Sequence, residues 1–94
     1  MAFARVVSFD GVDDARIEEL ARQIREDGAP EGVPSAELVI LHDAGAQRAL
    51  AVVFFETEDD YRRGDEILSA MPAGDTPGQR TSVTRYDVAV RMKS

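Results

Sequence analysis

Between Leu38 and Thr57 the chain reads LVILHDAGAQRALAVVFFET, two apolar runs around a short polar break. The second run is apolar on both of its alternating sides. Leu50, Val52 and Phe54 fall on one, and Ala49, Ala51, Val53 and Phe55 on the other. A strand with one face in water alternates apolar with polar residues, so this strand has to be covered twice. That requirement limits the architecture more than any other feature of the sequence.

The flanking segments supply one layer of cover. Phe3 to Phe9 alternates, with Phe3, Arg5, Val7 and Phe9 on one side, and closes at Asp10-Gly11, which predicts a first strand and a turn. Asp13 is placed to cap a helix in which Ile17, Leu20, Ala21 and Ile24 keep the i, i+3, i+4, i+7 spacing, and Gly28 ends it. GAPEGVPS is a loop by its glycines and prolines, and Ala36 to His42 follows as the second strand. DAGAQ is a turn in which Gly45 is free to take positive φ, and Arg48 to Glu56 is the third strand. Thr57, followed by Glu58, Asp59 and Asp60, is an N-cap with acids in the first helical turn, where the positive helix end favours them. Tyr61, Gly64, Ile67 or Leu68, and Met71 form that helix's apolar stripe, which stops at Pro72. After the loop PAGDTPGQ a last strand is expected from Thr81 to Met92, with Tyr86, Val88, Val90 and Met92 on one face.

The order β-α-β-β-α-β is that of the ferredoxin-like split βαβ pattern: an α+β fold with a four-stranded antiparallel sheet and two helices on one face. A length of 94 residues, with 44% hydrophobic content, suits one domain, 1–94, around a single core. Two helices cover only one side of the sheet, which leaves Leu50, Val52 and Phe54, or their opposite set, in need of a partner. Burying three or four large side chains is worth roughly 1.5 to 3 kcal/mol each, so about 5 to 10 kcal/mol per subunit before association entropy. A second copy packed sheet to sheet over about 800 Å² per subunit is an ordinary two-fold interface. The expected assembly is therefore a face-to-face homodimer, an α/β barrel built from two chains.

Several function classes are disfavoured by composition. A net charge of -7, from 18 acids against 11 bases, repels a phosphate backbone, so no nucleic acid is expected as partner. The chain has no cysteine and one histidine, which rules out a thiol nucleophile and a two-histidine metal site within one subunit; no metal and no cofactor are expected. The start, MAFARVVSFDG, has neither a charged n-region nor a long apolar h-region, and no apolar run approaches the roughly 20 residues of a membrane span. The expected location is the cytoplasm, with no membrane contact.

RVVSFDG near the start, GAQRALAVVFFETEDDYRRGDE in the middle and TRYDVAVR near the end resemble the antibiotic-biosynthesis monooxygenase-like (ABM) domains of the dimeric α/β-barrel superfamily. The middle segment is the most specific, running from a hairpin glycine through an apolar strand to an aromatic, a Glu-Thr pair and an acidic helix start. The resemblance implies a homodimer with a ligand pocket between the sheet and the helices of each subunit. It implies a small apolar or aromatic ligand, in some relatives an aromatic polyketide oxidised without a cofactor. Haem-degrading relatives are expected to carry a tryptophan at the end of the third strand, a histidine in the second helix and an asparagine in the first strand. This chain has Phe55 at the first place, Gly64 or its neighbours at the second and no asparagine, which argues against haem chemistry.

His42 is the candidate catalytic residue, because imidazole titrates near neutrality and can serve as a general base; an edge or dimer-rim role is the competing assignment. Phe55, Tyr61, Tyr86 and Arg85 are the ligand-binding candidates: aromatic walls, two hydroxyls and a strand guanidinium that can hold a carboxylate. Both tyrosines also sit on apolar stripes, where a core place is expected. Arg5 and Arg91 share the strand-arginine argument, against ion pairing as the alternative. Ala49 and Ala51 leave either room for a ligand or a seat for a closely packed helix assisted by Gly64. Two functions follow: a homodimer that binds and turns over a small molecule, or a non-catalytic association module.

Overall fold

The computed structural model describes residues 2–28, 32–71 and 76–92. Their element order is β1 (Phe3–Asp10), α1 (Asp14–Asp27), β2 (Glu37–Asp43), β3 (Arg48–Phe55), α2 (Glu58–Ser69) and β4 (Gln79–Asp87). All three strand pairings are antiparallel, in the order β2-β3-β1-β4, so the chain has the ferredoxin-like α+β fold. Pro72 as a helix stop, and parts of the loops GAPEGVPS and PAGDTPGQ, lie outside the described residues.

Register fixes the two faces of the sheet. Phe3 lies opposite Phe55, Arg5 opposite Val53, Val7 opposite Ala51 and Phe9 opposite Ala49, so these residues share a side. Phe55, Val53, Val7, Phe9 and Ala49 on it are buried, which makes it the side under the helices. Leu50, Val52 and Phe54 lie on the other side with Val6 and Val39, where neither helix covers them. Of the two apolar sides of β3, this is therefore the one left open.

Capping sets both helix starts. The Asp13 side chain accepts a hydrogen bond from the Arg16 amide at 2.8 Å, and Thr57 Oγ1 accepts from the Asp60 amide at 3.1 Å. Gly28, at φ 75, ends α1 in a conformation that favours glycine. Core packing is split into two groups. Val7, Phe9, Val12 and Ala49 form one, with Ile17 against it; Val53, Phe55 and Tyr61 form the other, with Phe3, Leu38 and Leu68 around it.

Two expectations are corrected. The last strand runs from Gln79 to Asp87, not from Thr81 to Met92, because Asp87 pairs with Phe3, the first residue of β1, and among the described residues only one more backbone bond follows, from the Val88 amide to the Ala2 carbonyl at 3.0 Å. Val90 and Met92 are instead 81% and 88% exposed. Thr81 is the extra residue of a bulge between Ser8 and Phe9, and its hydroxyl donates to the Ser8 carbonyl at 3.2 Å. In the hairpin the left-handed residue is Gln47, at φ 52, rather than Gly45. The Asp43 carboxylate accepts from the Ala46 amide at 3.1 Å and holds the turn, so the reversal falls on its last position.

Candidate functional site

Between α1 and the sheet lies a cleft of about 860 Å³, within the usual size for small-molecule sites. Ala49, Ala51 and Val53 form its floor, Leu20 and Ile24 of α1 its roof, and Leu68 of α2 one end. The space exists because α1 buries no side chain fully while the floor beneath it is made of alanines. Gly64 does not serve that floor. It seats Phe55, whose Cζ would lie 2.5 Å from an alanine Cβ placed there.

Arg5 brings a charge to the cleft wall. It is 3% exposed on the helix-covered side of β1, with Nε donating to Asp65 Oδ1 at 2.8 Å and Nη2 to Ser69 Oγ at 3.1 Å. Asp65 and Ser69 are one helical turn apart on α2, so a single helix edge supplies both acceptors. Neither was singled out from sequence. The available signal was Arg5 itself, a charged residue on the buried side of a strand, which calls for a carboxylate on the helix above it. At the rim, Arg16 Nη2 donates to the Thr76 carbonyl at 2.9 Å and Arg16 Nη1 lies 3.4 Å from Glu19.

The ligand-binding candidates do not converge. Phe55 is fully buried beneath α2 and meets Tyr61 edge to face, with ring centroids 5.4 Å apart. Neither ring lines the cleft. Burial pushes the Tyr61 hydroxyl above its ordinary pKa; Asp65 adds to the rise, while Arg5 and Arg85 oppose it. The Arg85 guanidinium lies over the Phe3 ring at 4.6 Å and the Tyr61 ring at 5.0 Å, with Glu58 at 4.0 Å. Tyr86 is opposite Ala4, hence on the open face, and is 54% exposed, so its expected place in a core or shared pocket is corrected. It belongs to the edge strand β4 and points away from the side on which Arg85 meets α2.

His42 lies outside the cleft. Its Nε2 donates to the Val12 carbonyl at 2.8 Å and its Nδ1 is 3.9 Å from Asp14, so the ring ties β2 to the entry of α1. Arg91 bonds to Glu37, lies 3.9 Å from Glu56 and sits over the Phe54 ring at 4.5 Å, at one end of the open face. Among the described residues no group of three His, Cys, Asp or Glu side chains is placed to hold a metal. No described helix is long and apolar enough to cross a membrane.

Fold and cleft together define a ferredoxin-like domain with a small-molecule-sized cavity between one helix and the sheet. Beyond that class, no family model matches the chain, and neither a curated protein nor a solved structure is significantly similar to it.

Proposed function

We propose that the chain binds a small apolar or aromatic molecule in the cleft under α1, as one half of a homodimer closed through the open sheet face. The observation that carries the proposal is the alanine floor of Ala49 and Ala51 beneath a helix that buries no side chain fully. A helix seated for stability alone would fill that space, since voids cost packing energy. The ABM-like residue pattern supports the same location for the ligand. Oxidation of a bound aromatic without metal or flavin is the enzymatic form of the proposal.

A second function, association without small-molecule turnover, is favoured by the open face. There Val6, Val39, Val52 and Phe54 adjoin Leu41, which is 50% exposed, a continuous apolar surface of the kind that marks an interface. Native mass spectrometry at low micromolar concentration tests both. A dimer that retains a reproducible small-molecule mass is expected; a monomer sinks the assembly. A dimer that neither retains nor takes up an aromatic compound leaves the association module. Val52→Asp should break the dimer, because the interface would then bury an unpaired charge.

A further inference from the structure

We infer that the molecule held in the cleft is an organic monocarboxylate, with its apolar body on the alanine floor and its carboxylate on the Arg5 guanidinium. This rests on the cleft being a small-molecule site and adds the chemical class of its ligand.

The first support is the unfinished bonding of Arg5. Nε is engaged by Asp65 and Nη2 by Ser69, while Nη1 has no partner among the described residues. No fully buried side-chain nitrogen or oxygen among those residues lacks a partner, so Nη1 reaches accessible space, and Arg5 forms the wall of the cleft. A buried guanidinium in the wall of an apolar cavity, with one nitrogen still unbonded, can anchor a carboxylate oxygen through a charge-assisted hydrogen bond from Nη1.

The second support is the local charge balance. Asp65 meets Arg5 through one oxygen, Oδ1, and is 41% exposed, so water takes up part of its charge. Around the cleft Arg5, Arg16 and Arg80 stand against Glu19, Asp27 and the Asp65 bound to Arg5, in a chain whose net charge is -7. Arg80 has no carboxylate partner among the described residues. The cleft is thus close to neutral within an acidic molecule, and it repels an anion less than the surface around it does. One free guanidinium edge above an apolar floor suits a single small charged group on a hydrophobic body.

The test uses N-phenyl-1-naphthylamine, which fluoresces in apolar sites, displaced by the near-isosteric pair 1-naphthaleneacetate and 1-naphthaleneacetamide at pH 7. The acid should displace the reporter at a concentration about tenfold lower than the amide, the scale of one charge-assisted hydrogen bond. Equal displacement overturns the carboxylate proposal and leaves the cleft as a site for neutral molecules. Reporter uptake that is absent, or unchanged in Ala51→Phe, which fills the floor, overturns the cleft as a site and this proposal with it. In the double variant Arg5→Gln/Asp65→Asn, which removes both charges together, the acid-to-amide preference should fall to near one. A preference that survives there overturns Arg5 as the anchor, and if that variant does not fold, the wild-type comparison decides alone.

Discussion

The two helices carry the same kind of amphipathic pattern and are seated differently. α2 buries Tyr61 and Gly64, and its glycine lies directly on the Phe55 ring. α1 buries nothing fully; it is held at its start by Ile17 against the group of Val7, Phe9, Val12 and Ala49 and by polar ties, the His42 bond to the Val12 carbonyl and the Arg16 bond to Thr76. An apolar stripe tells which side of a helix faces the sheet. How close it sits depends on whether side chains of complementary size meet across the gap: a phenylalanine against a glycine on one side of this molecule, leucine and isoleucine above alanines on the other.

The sharpest way to break the contrast is to truncate both seats. Phe55→Ala should cost about 3–5 kcal/mol in urea unfolding, whereas Leu20→Ala, half-buried under α1, should cost about 1 kcal/mol or less. Comparable losses would mean that α1 is packed as tightly as α2. Gly64→Ala should destabilise by about 1–3 kcal/mol despite the better helix propensity of alanine, because its Cβ collides with Phe55. A gain in stability would show that the ring can move aside. His42→Ala, which leaves the Val12 carbonyl without its side-chain donor, should cost about 1–2 kcal/mol and lower hydrogen-exchange protection in the first turn of α1 more than in α2.

Ala51→Val tests the space itself. With room under α1, the added methyl groups should be neutral or stabilise by up to about 1 kcal/mol, and a loss above that would deny the cavity. The smallest effect is on the α2 side. The Tyr61 hydroxyl has its pKa raised in the folded state, so the unfolded chain releases that proton first. Stability should therefore fall as the pH rises past the ordinary tyrosine value of 10.0, and Tyr61→Phe should remove that part of the slope. An identical high-pH slope in both proteins would show that the hydroxyl is not held this way.

Element types and their order were legible because caps, stripes and alternation agreed along the chain. Asp13 and Thr57 marked both helix starts, and Phe3, Arg5, Val7 and Phe9 were grouped on the side that the helices cover. Strand length was less legible. Tyr86, Val88, Val90 and Met92 alternate well, but a strand ends where its partner ends, and β1 begins at Phe3. The turn conformation went to Gln47 over Gly45 because a side-chain hydrogen bond from Asp43 outweighed glycine's freedom. The cleft was legible only in part: Ala49 and Ala51 allowed either room for a ligand or a closely packed helix, and small side chains alone do not decide between the two. Asp65 and Ser69, which orient Arg5, come from a helix whose rotation about the sheet is set by the fit of Gly64 on Phe55.

Val12, fully buried between β1 and α1, is gripped through both of its backbone polar groups. Its amide donates to the Gln47 carbonyl at 2.8 Å, and its carbonyl accepts from His42. Both grips come from the β2–β3 hairpin, so two turns distant in sequence share one clasp. Surface turns usually tolerate insertions and deletions independently. Here a residue added to either turn would shift Gln47 and His42 against Val12, and the two turns would have to change length together, so that indels in one should be accompanied by compensating indels in the other.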